Sequence, residues 1–386
     1  MANRHAEVLV IGGGITGASI AYHLLNSGIS KVVLCEQHRL PGVGATRMSG
    51  GLIRMHHTHP SQMKLAWESY YTYAYWPEVI GGSCGFRVTG FAMIVGPEQV
   101  DSMQRNVAEM EREGIPVWML TPEEYKQWQP FCSTERIGGV AYEPGGGYAD
   151  PVAATLGFIT RAQQLGLKVM EGTRVERLLI EQGNVCGIHT NTGPLFADHV
   201  ILCGNTWVKG LLDELDVKLP ITSRAIGVCL LDWCGGGSTP IWTTVDDSLG
   251  TYYRSNGPNQ LLVGLKLDQE NPFVNKQEAA GYSEMIKAKQ NIRHRFPHVS
   301  AISGSRLSFD GYTPDQHPMI GSVSGHKNVV VATGFSGGGF KIAPAVGRNV
   351  AEYILTGNIS PGMKEWAPDR FEKGKNLKAV HPYVHL

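Results

Sequence analysis

Residues 7–36, EVLVIGGGITGASIAYHLLNSGISKVVLCE, restrict the fold of this chain more than any other stretch. Val8 to Ile11 is an apolar run of strand length, and Gly12, Gly14 and Gly17 follow at GxGxxG spacing where a helix opens. Gly12 suits the tight turn, Gly14 lets a pyrophosphate approach the backbone, and Gly17 lets helix and strand pack closely. The helix N-terminus then offers NH groups and positive potential to phosphate. A second strand, Lys31 to Cys35, ends in Glu36. A carboxylate there accepts hydrogen bonds from a ribose diol and repels a 2'-phosphate, which disfavours NADP. Strand, glycine turn, helix, strand and acid together predict a dinucleotide-binding unit.

Composition narrows the class. The 386 residues suffice for two intertwined domains, and a formal net charge of zero offers no electrostatic reason to expect nucleic acid. No stretch reaches the ~18 apolar residues of a membrane span, and the chain enters its first strand without a signal peptide, so a cytoplasmic enzyme is expected. The seven cysteines form no CxxC pair, which argues against a disulfide framework or a zinc site. Forty-eight glycines are many for this length, and they cluster at 12–17, 42–51, 145–147, 235–237 and 334–339 rather than forming a repeat. Such clusters mark places where backbone must approach something closely.

The nucleotide unit is interrupted and resumed. Asp150 and Pro151 read as N-cap and first residue of a helix over Ala153 to Leu165, followed by a hairpin, Val175 to Ile180 and Val185 to Thr190, and a buried strand, Asp198 to Cys203. Between these blocks, strand-like runs (Phe91 to Val95, Ile226 to Leu231, Gly250 to Arg254, Gln260 to Leu267) mix with charged helical stretches at Pro97 to Gly114 and Lys276 to Phe296. The expected class is α/β: a Rossmann-like nucleotide-binding domain (1–83, 145–220 and 305–386) carrying an inserted antiparallel sheet with helices (84–144 and 221–304) as substrate domain. The last 15 or so residues, rich in Lys, His and Pro, read as an irregular or frayed tail.

A second glycine turn lies near the C-terminus. Val329 to Ala332 reads as a strand, Phe335 to Gly339 as a turn, and about Ile342 to Leu355 as a helix with Pro344 in its first turn and Gly357 beyond its end. One pyrophosphate does not need two helix N-termini. A flavin does, because its reduced ring is anionic near N1.

With these motifs in view, the chain resembles the FAD-dependent amine and amino-acid oxidoreductases of the D-amino-acid oxidase, glycine oxidase and monomeric sarcosine oxidase type. The carriers are VIGGGITG with Glu36, GVGATRMSGGLIR at 42–54, YADP at 148–151, EGTRV at 171–175, VILCGNTW at 200–207, TPDQHPMIG at 313–321 and GFSGGGFKIAP from Gly334. The resemblance implies FAD as cofactor and oxidation of a C–N bond of an amine or amino acid, with oxygen or another acceptor. It also implies that Arg47, Ser49, Gly51 and Arg54 lie along the flavin, that Val175 meets the adenine region, and that Gly204, Trp207, Gly334, Phe335, Ser336, Gly337, Gly338 and Lys341 complete the cofactor site. Lys341 is the first choice for the substrate carboxylate, against the alternative of a helix-start lysine facing water. His57 is a second cationic or proton-handling contact. With His56 and His59 it suggests no metal site, since no carboxylate or cysteine follows. Tyr253 and Arg254 alternate across a strand, so at most one closes the pocket, and Lys266 faces pocket or solvent.

Departures from that family matter. Where sarcosine oxidases tether flavin through cysteine, RLSFDGYTPD places Ser308, so FAD is expected to be non-covalent. The carboxylate-binding arginine of glycine and D-amino-acid oxidases is replaced by Phe309, Asp310 and Gly311, and Asp310 reads as a binder of ammonium or as a surface turn acid. Leu262 falls where the oxygen-reactive lysine is expected. Oxidase and dehydrogenase both remain open, as do a 2-hydroxy-acid dehydrogenase with His57 as base and a flavin subunit of a larger complex or oligomer.

Overall fold

The structure is a computed structural model that describes residues 5–235, 239–267 and 281–384. Its first sheet has a parallel centre in the order Lys168–Met170, Val32–Cys35, His5–Ile11, Gly193–Leu202 and His326–Thr333. The hairpin Val175–Glu181/Asn184–Thr190 and the strand Met319–Val323 add antiparallel edges. Both faces of the centre are covered, which explains why its strands read as continuous apolar runs. Val8 and Val10 pack against the helices Ile15–Asn26, Pro151–Gln164 and Gly339–Thr356, while Leu9 and Ile11 face a second core with Val208, Leu211 and Leu212. Asp150 caps its helix by accepting hydrogen bonds from Val152 N and Ala153 N.

The second sheet runs Val299–Tyr312, Thr222–Trp233, Gln260–Gly264, Thr251–Ser255, Thr243–Asp246, Phe91–Val95, Gly139–Glu143, Trp118–Leu120. The two inserted runs of sequence meet where Thr243–Asp246 pairs with Phe91–Val95, and this pair is parallel whereas the other neighbours are antiparallel. Val299–Tyr312 is continuous across the expected boundary at 304/305 and pairs with Thr222–Trp233 nearly throughout. Of the expected helix over 276–296, residues 276–280 and the glycine run at 236–237 lie outside the described residues, and the helix described is Tyr282–Ile292. A small sheet, Leu52–Ile53, Gly147–Tyr148 and Arg87–Val88, lies beside the segment that carries Arg54.

The tail departs from expectation. It is irregular but docked: Leu377 N donates to Asp315 Oδ2, Val380 N to Thr58 O, and Val384 N to Gln99 Oε1 and Asp247 Oδ2, while His381 O accepts from Asn106 Nδ2. No helix among the described residues is long and apolar enough to cross a membrane.

Candidate active site

A cavity of about 1370 Å³ runs between the two large sheets. The end lined by the first glycine turn is made mostly of backbone. The first strand ends at Gly12, whose φ of +108° and whose position 2.9 Å (as a built Cβ) from Cys203 O admit no side chain without strain. Gly17 is more constrained still, because a Cβ there would lie 2.0 Å from Gly12 O. Gly14 is the N-cap of Ile15–Asn26 and supplies no side-chain cap; Gly14, Ile15 and Thr16 line the cavity, and Ile15 N donates to Thr46 Oγ1. Glu36 is buried at the cavity wall and accepts from Gly13 N at 2.8 Å and His38 N at 2.9 Å, which fixes the carboxylate beside the glycine turn. Val175, Gly204 and Trp207 line the same end.

The second glycine turn brings the helix Gly339–Thr356 onto the cavity, again with a glycine N-cap, Gly338, and no side-chain cap. Gly334, Ser336 and Gly337 have φ of +66°, +50° and +81°. Asp310 holds this turn in place. Its Oδ2 accepts from Gly337 N at 2.9 Å, and its Oδ1 accepts from Gly311 N at 2.9 Å and Asn205 Nδ2 at 3.0 Å. Burial raises its pKa while these donors oppose the rise. The alternative of a surface turn acid is therefore corrected: Asp310 is a buried strand residue that clamps the turn and also lines the cavity.

At the other end side chains dominate. Arg54 lines the cavity with its guanidinium 5.7 Å from the Phe91 ring centre, and no hydrogen bond to that guanidinium exists among the described residues. Burial lowers its pKa to about 10, partly offset by Glu143 and Tyr383, so it stays charged near neutrality. Glu143 commits its oxygens to Met55 N at 2.8 Å and His56 N at 2.9 Å, and burial lifts its pKa to about 7. His57 is buried, with Nε2 unpartnered; desolvation first, then Arg54 and Lys341, hold it neutral. Lys341 lines the cavity from the first turn of its helix, with Nζ 3.5 Å from Gly338 O. Burial and Arg54 push its pKa well down, so Arg54 is the stronger fixed cation of the two.

Several expected site residues lie elsewhere. Tyr253 points to the opposite face of the second sheet, where its ring meets Phe296 edge-on at 4.9 Å and its hydroxyl lies 3.4 Å from that of Tyr125. The neighbouring Tyr252 lines the cavity instead. Arg254 is held behind the wall, donating from Nε to Gly50 O and from Nη1 to Ser255 O, with its guanidinium 4.3 Å over the Tyr148 ring. Arg47 is exposed on the short helix Ala45–Met48 and does not line the cavity, though Ser49 does. Gly17, Gly51 and Gly334 act through close packing: built Cβ atoms there lie 2.0 Å from Gly12 O, 2.1 Å from Ala149 O and 2.7 Å from Thr313 Cγ2. Phe335, Ser336, Gly337 and Gly338 line the cavity, and so does the exposed Lys266. Sequence reasoning missed Tyr252, although it lies within the strand-like run Gly250 to Arg254, and Tyr383, which lies in the unpatterned tail. No cluster of three or more metal-ligating side chains occurs among the described residues.

Comparison with known proteins agrees with this geometry. The family described as FAD dependent oxidoreductase matches residues 7–353, and the chain belongs to it. FAD is therefore its cofactor, and the two helix N-termini without side-chain caps, with Glu36 beside the first glycine turn, fit a dinucleotide. The chain is 28% identical over 389 residues to 4-methylaminobutanoate oxidase (formaldehyde-forming) of Paenarthrobacter nicotinovorans, covering 96% of this chain and 46% of that protein. It is 25% identical to the mitochondrial dimethylglycine dehydrogenase of Rattus norvegicus, covering 95% and 45%. The chain thus spans about half the length of these curated relatives. The crystal structure of L-proline dehydrogenase from P. horikoshii superposes with a TM-score of 0.89 at 27% identity, covering 97% of this chain and all of that one.

Proposed function

We propose that this chain oxidises the C–N bond of a small amine that carries a carboxylate, an N-alkyl or cyclic amino acid, to an imine that water then hydrolyses. The observation that carries this reading is Arg54, a charged guanidinium without a hydrogen-bond partner among the described residues, on the wall of the cavity into which both glycine-capped helices open. Relatives named for methylaminobutanoate, dimethylglycine and proline support the substrate class. In this reading the first sheet holds FAD and the second supplies the substrate walls. Gly12, Gly14, Glu36, Val175, Gly204 and Trp207 would hold the nucleotide, and the Phe335–Lys341 turn would hold the flavin. When bound, FAD would supply a two-electron acceptor for hydride released from the carbon beside the nitrogen. Binding is non-covalent, since Ser308 offers no thiol where a cysteine tether is expected.

The residues of the chain then bind, orient and desolvate. Arg54 pairs with the carboxylate in a low-dielectric site, where a charge-assisted bond is strong. The same positive charge disfavours an ammonium nearby, so the amine binds as the free base, the form able to release hydride. His57, neutral and with Nε2 unpartnered, accepts the amine N–H and fixes the orientation of the carbon. Asp310 already accepts three hydrogen bonds, which commit much of its carboxylate to the glycine turn. The unpartnered Nε2 also favours a second reading, proton removal from a 2-hydroxy acid. A cytoplasmic setting accords with seven free cysteines.

Purified yellow protein mixed anaerobically with N-methyl amino acids, cyclic and primary amino acids and 2-hydroxy acids tests both. Bleaching of the flavin by amines is expected, and the rate of recovery in air separates oxidase from dehydrogenase. Bleaching by hydroxy acids alone overturns the proposal in favour of the second reading.

A further inference from the structure

The segment 377–384 does more than cover the surface. Leu377, Lys378, Ala379, Pro382 and Tyr383 all line the cavity. The segment is tied to both sides of the molecule, to Asp315 and Thr58 near the first sheet and to Asn106, Gln99 and Asp247 beside the second. Tyr383 is 5% exposed, packs in one apolar cluster with Met55, Phe91 and Val245, and shares a 2.7 Å hydrogen bond between its hydroxyl and His56 Nε2. His56 itself is held through its backbone by Glu143, so ring and partner are both fixed. Tyr383 and Arg54 are close enough that each alters the ionisation of the other.

We propose that Tyr383, delivered by this segment and locked by His56, is a specificity-determining residue that limits the length of the arm between amine nitrogen and carboxylate. The inference rests on the proposed amine oxidation with Arg54 as anchor. A rigid, buried phenol beside the anchor leaves a fixed space between Arg54 and the flavin-facing turn, and a substrate whose arm exceeds it cannot seat both ends. One methylene in an apolar pocket is worth roughly 10-fold to 200-fold in discrimination.

The test is a series of N-methylglycine, N-methyl-β-alanine and 4-(methylamino)butanoate, with Kd for each read from anaerobic flavin reduction in wild type, Tyr383→Ala and Tyr383→Trp. Tyr383→Ala is expected to shift the ratio of affinities toward the longest member by about tenfold or more, and Tyr383→Trp to shift it the other way. Ratios within twofold of wild type in either folded variant overturn the inference. If no amine bleaches the wild type, the parent reading fails, and the wall is then judged by binding alone: acetate, propionate and butyrate are titrated against the flavin spectrum. A shift toward butyrate in Tyr383→Ala still supports the wall, and an unchanged ranking still overturns it.

Discussion

The two ends of the cavity are built by opposite means. The end proposed to hold the nucleotide uses backbone: glycines at 12, 14 and 17, a carboxylate pinned by Gly13 N and His38 N, and a helix terminus without a side-chain cap. The end proposed to hold substrate uses side chains from four separate parts of the chain, Arg54 with His57, Tyr252, Lys341 and Tyr383. Backbone recognition serves a cofactor that does not change, so its requirements are local and stringent. Side-chain recognition can be altered one residue at a time without disturbing the cofactor. The chain and its relatives share the fold at 24–28% identity while the relatives bear different substrate names, as this division allows.

The largest break expected from this contrast is Gly17→Val. A Cβ 2.0 Å from Gly12 O has to displace backbone rather than a flexible side chain, and overpacking of this kind costs about 1–3 kcal/mol or more, concentrated on the turn proposed to meet pyrophosphate. Purified protein is expected to carry almost no FAD by absorbance; a full complement of FAD would show that the close contact has no role. Arg54→Gln should do the reverse, leaving FAD content near one per chain while substrate Kd rises. Loss of a charged partner in a desolvated pair costs about 2–5 kcal/mol, or about 30-fold or more in Kd. If Arg54→Gln loses FAD instead, the separation of the two ends is wrong.

Legibility in the sequence followed the same line. The Rossmann unit was readable because each glycine and Glu36 answer a local demand, and the Gly338-capped helix was readable from strand, glycines and Gly357 at its left-handed end, φ +71°. The docked tail was not, since its ties to Thr58, Asn106 and Asp247 are single hydrogen bonds over long sequence separations and leave no periodic pattern. Asp310 was misread for a related reason: its partners Asn205 and Gly337 meet it only when both sheets are assembled. The helix Pro60–Ala74, which supplies Gln62 to the cavity, follows Thr58–His59 without an acidic first turn and escaped notice.

A smaller effect sharpens the substrate end. Burial, with Arg54 adding, depresses the His56 pKa from 6.5 to about 3. As pH falls below 6.5 the ring gains a proton in the unfolded chain but not in the folded one, so stability present above 6.5 is progressively lost down to about 3. The loss is about 1.4 kcal/mol for each unit below the unfolded value. Gln at this position keeps an amide for Tyr383 and cannot titrate, so His56→Gln should lose about 1.4 kcal/mol less than wild type between pH 8 and pH 5.5 in urea unfolding. Equal losses would mean that the imidazole is not held neutral.

The smallest effect separates the two faces of the second sheet. At most one of Tyr253 and Arg254 was expected to close the pocket, yet Tyr252 occupies the cavity face and Tyr253 the core with Phe296 and Tyr125. Tyr253→Phe removes one buried hydroxyl whose contact to Tyr125 is long, 3.4 Å, so the stability change should stay within about 0.5–1.5 kcal/mol. Substrate Kd and the rate of anaerobic flavin reduction should be unchanged, because a side chain on the far face reaches the cavity only by moving the strand. The comparison variant is Tyr252→Phe, whose hydroxyl belongs to the cavity wall and whose Kd should move. If the two variants exchange these phenotypes, the strand is out of register by one residue, and the substrate face of the sheet carries the other set of side chains.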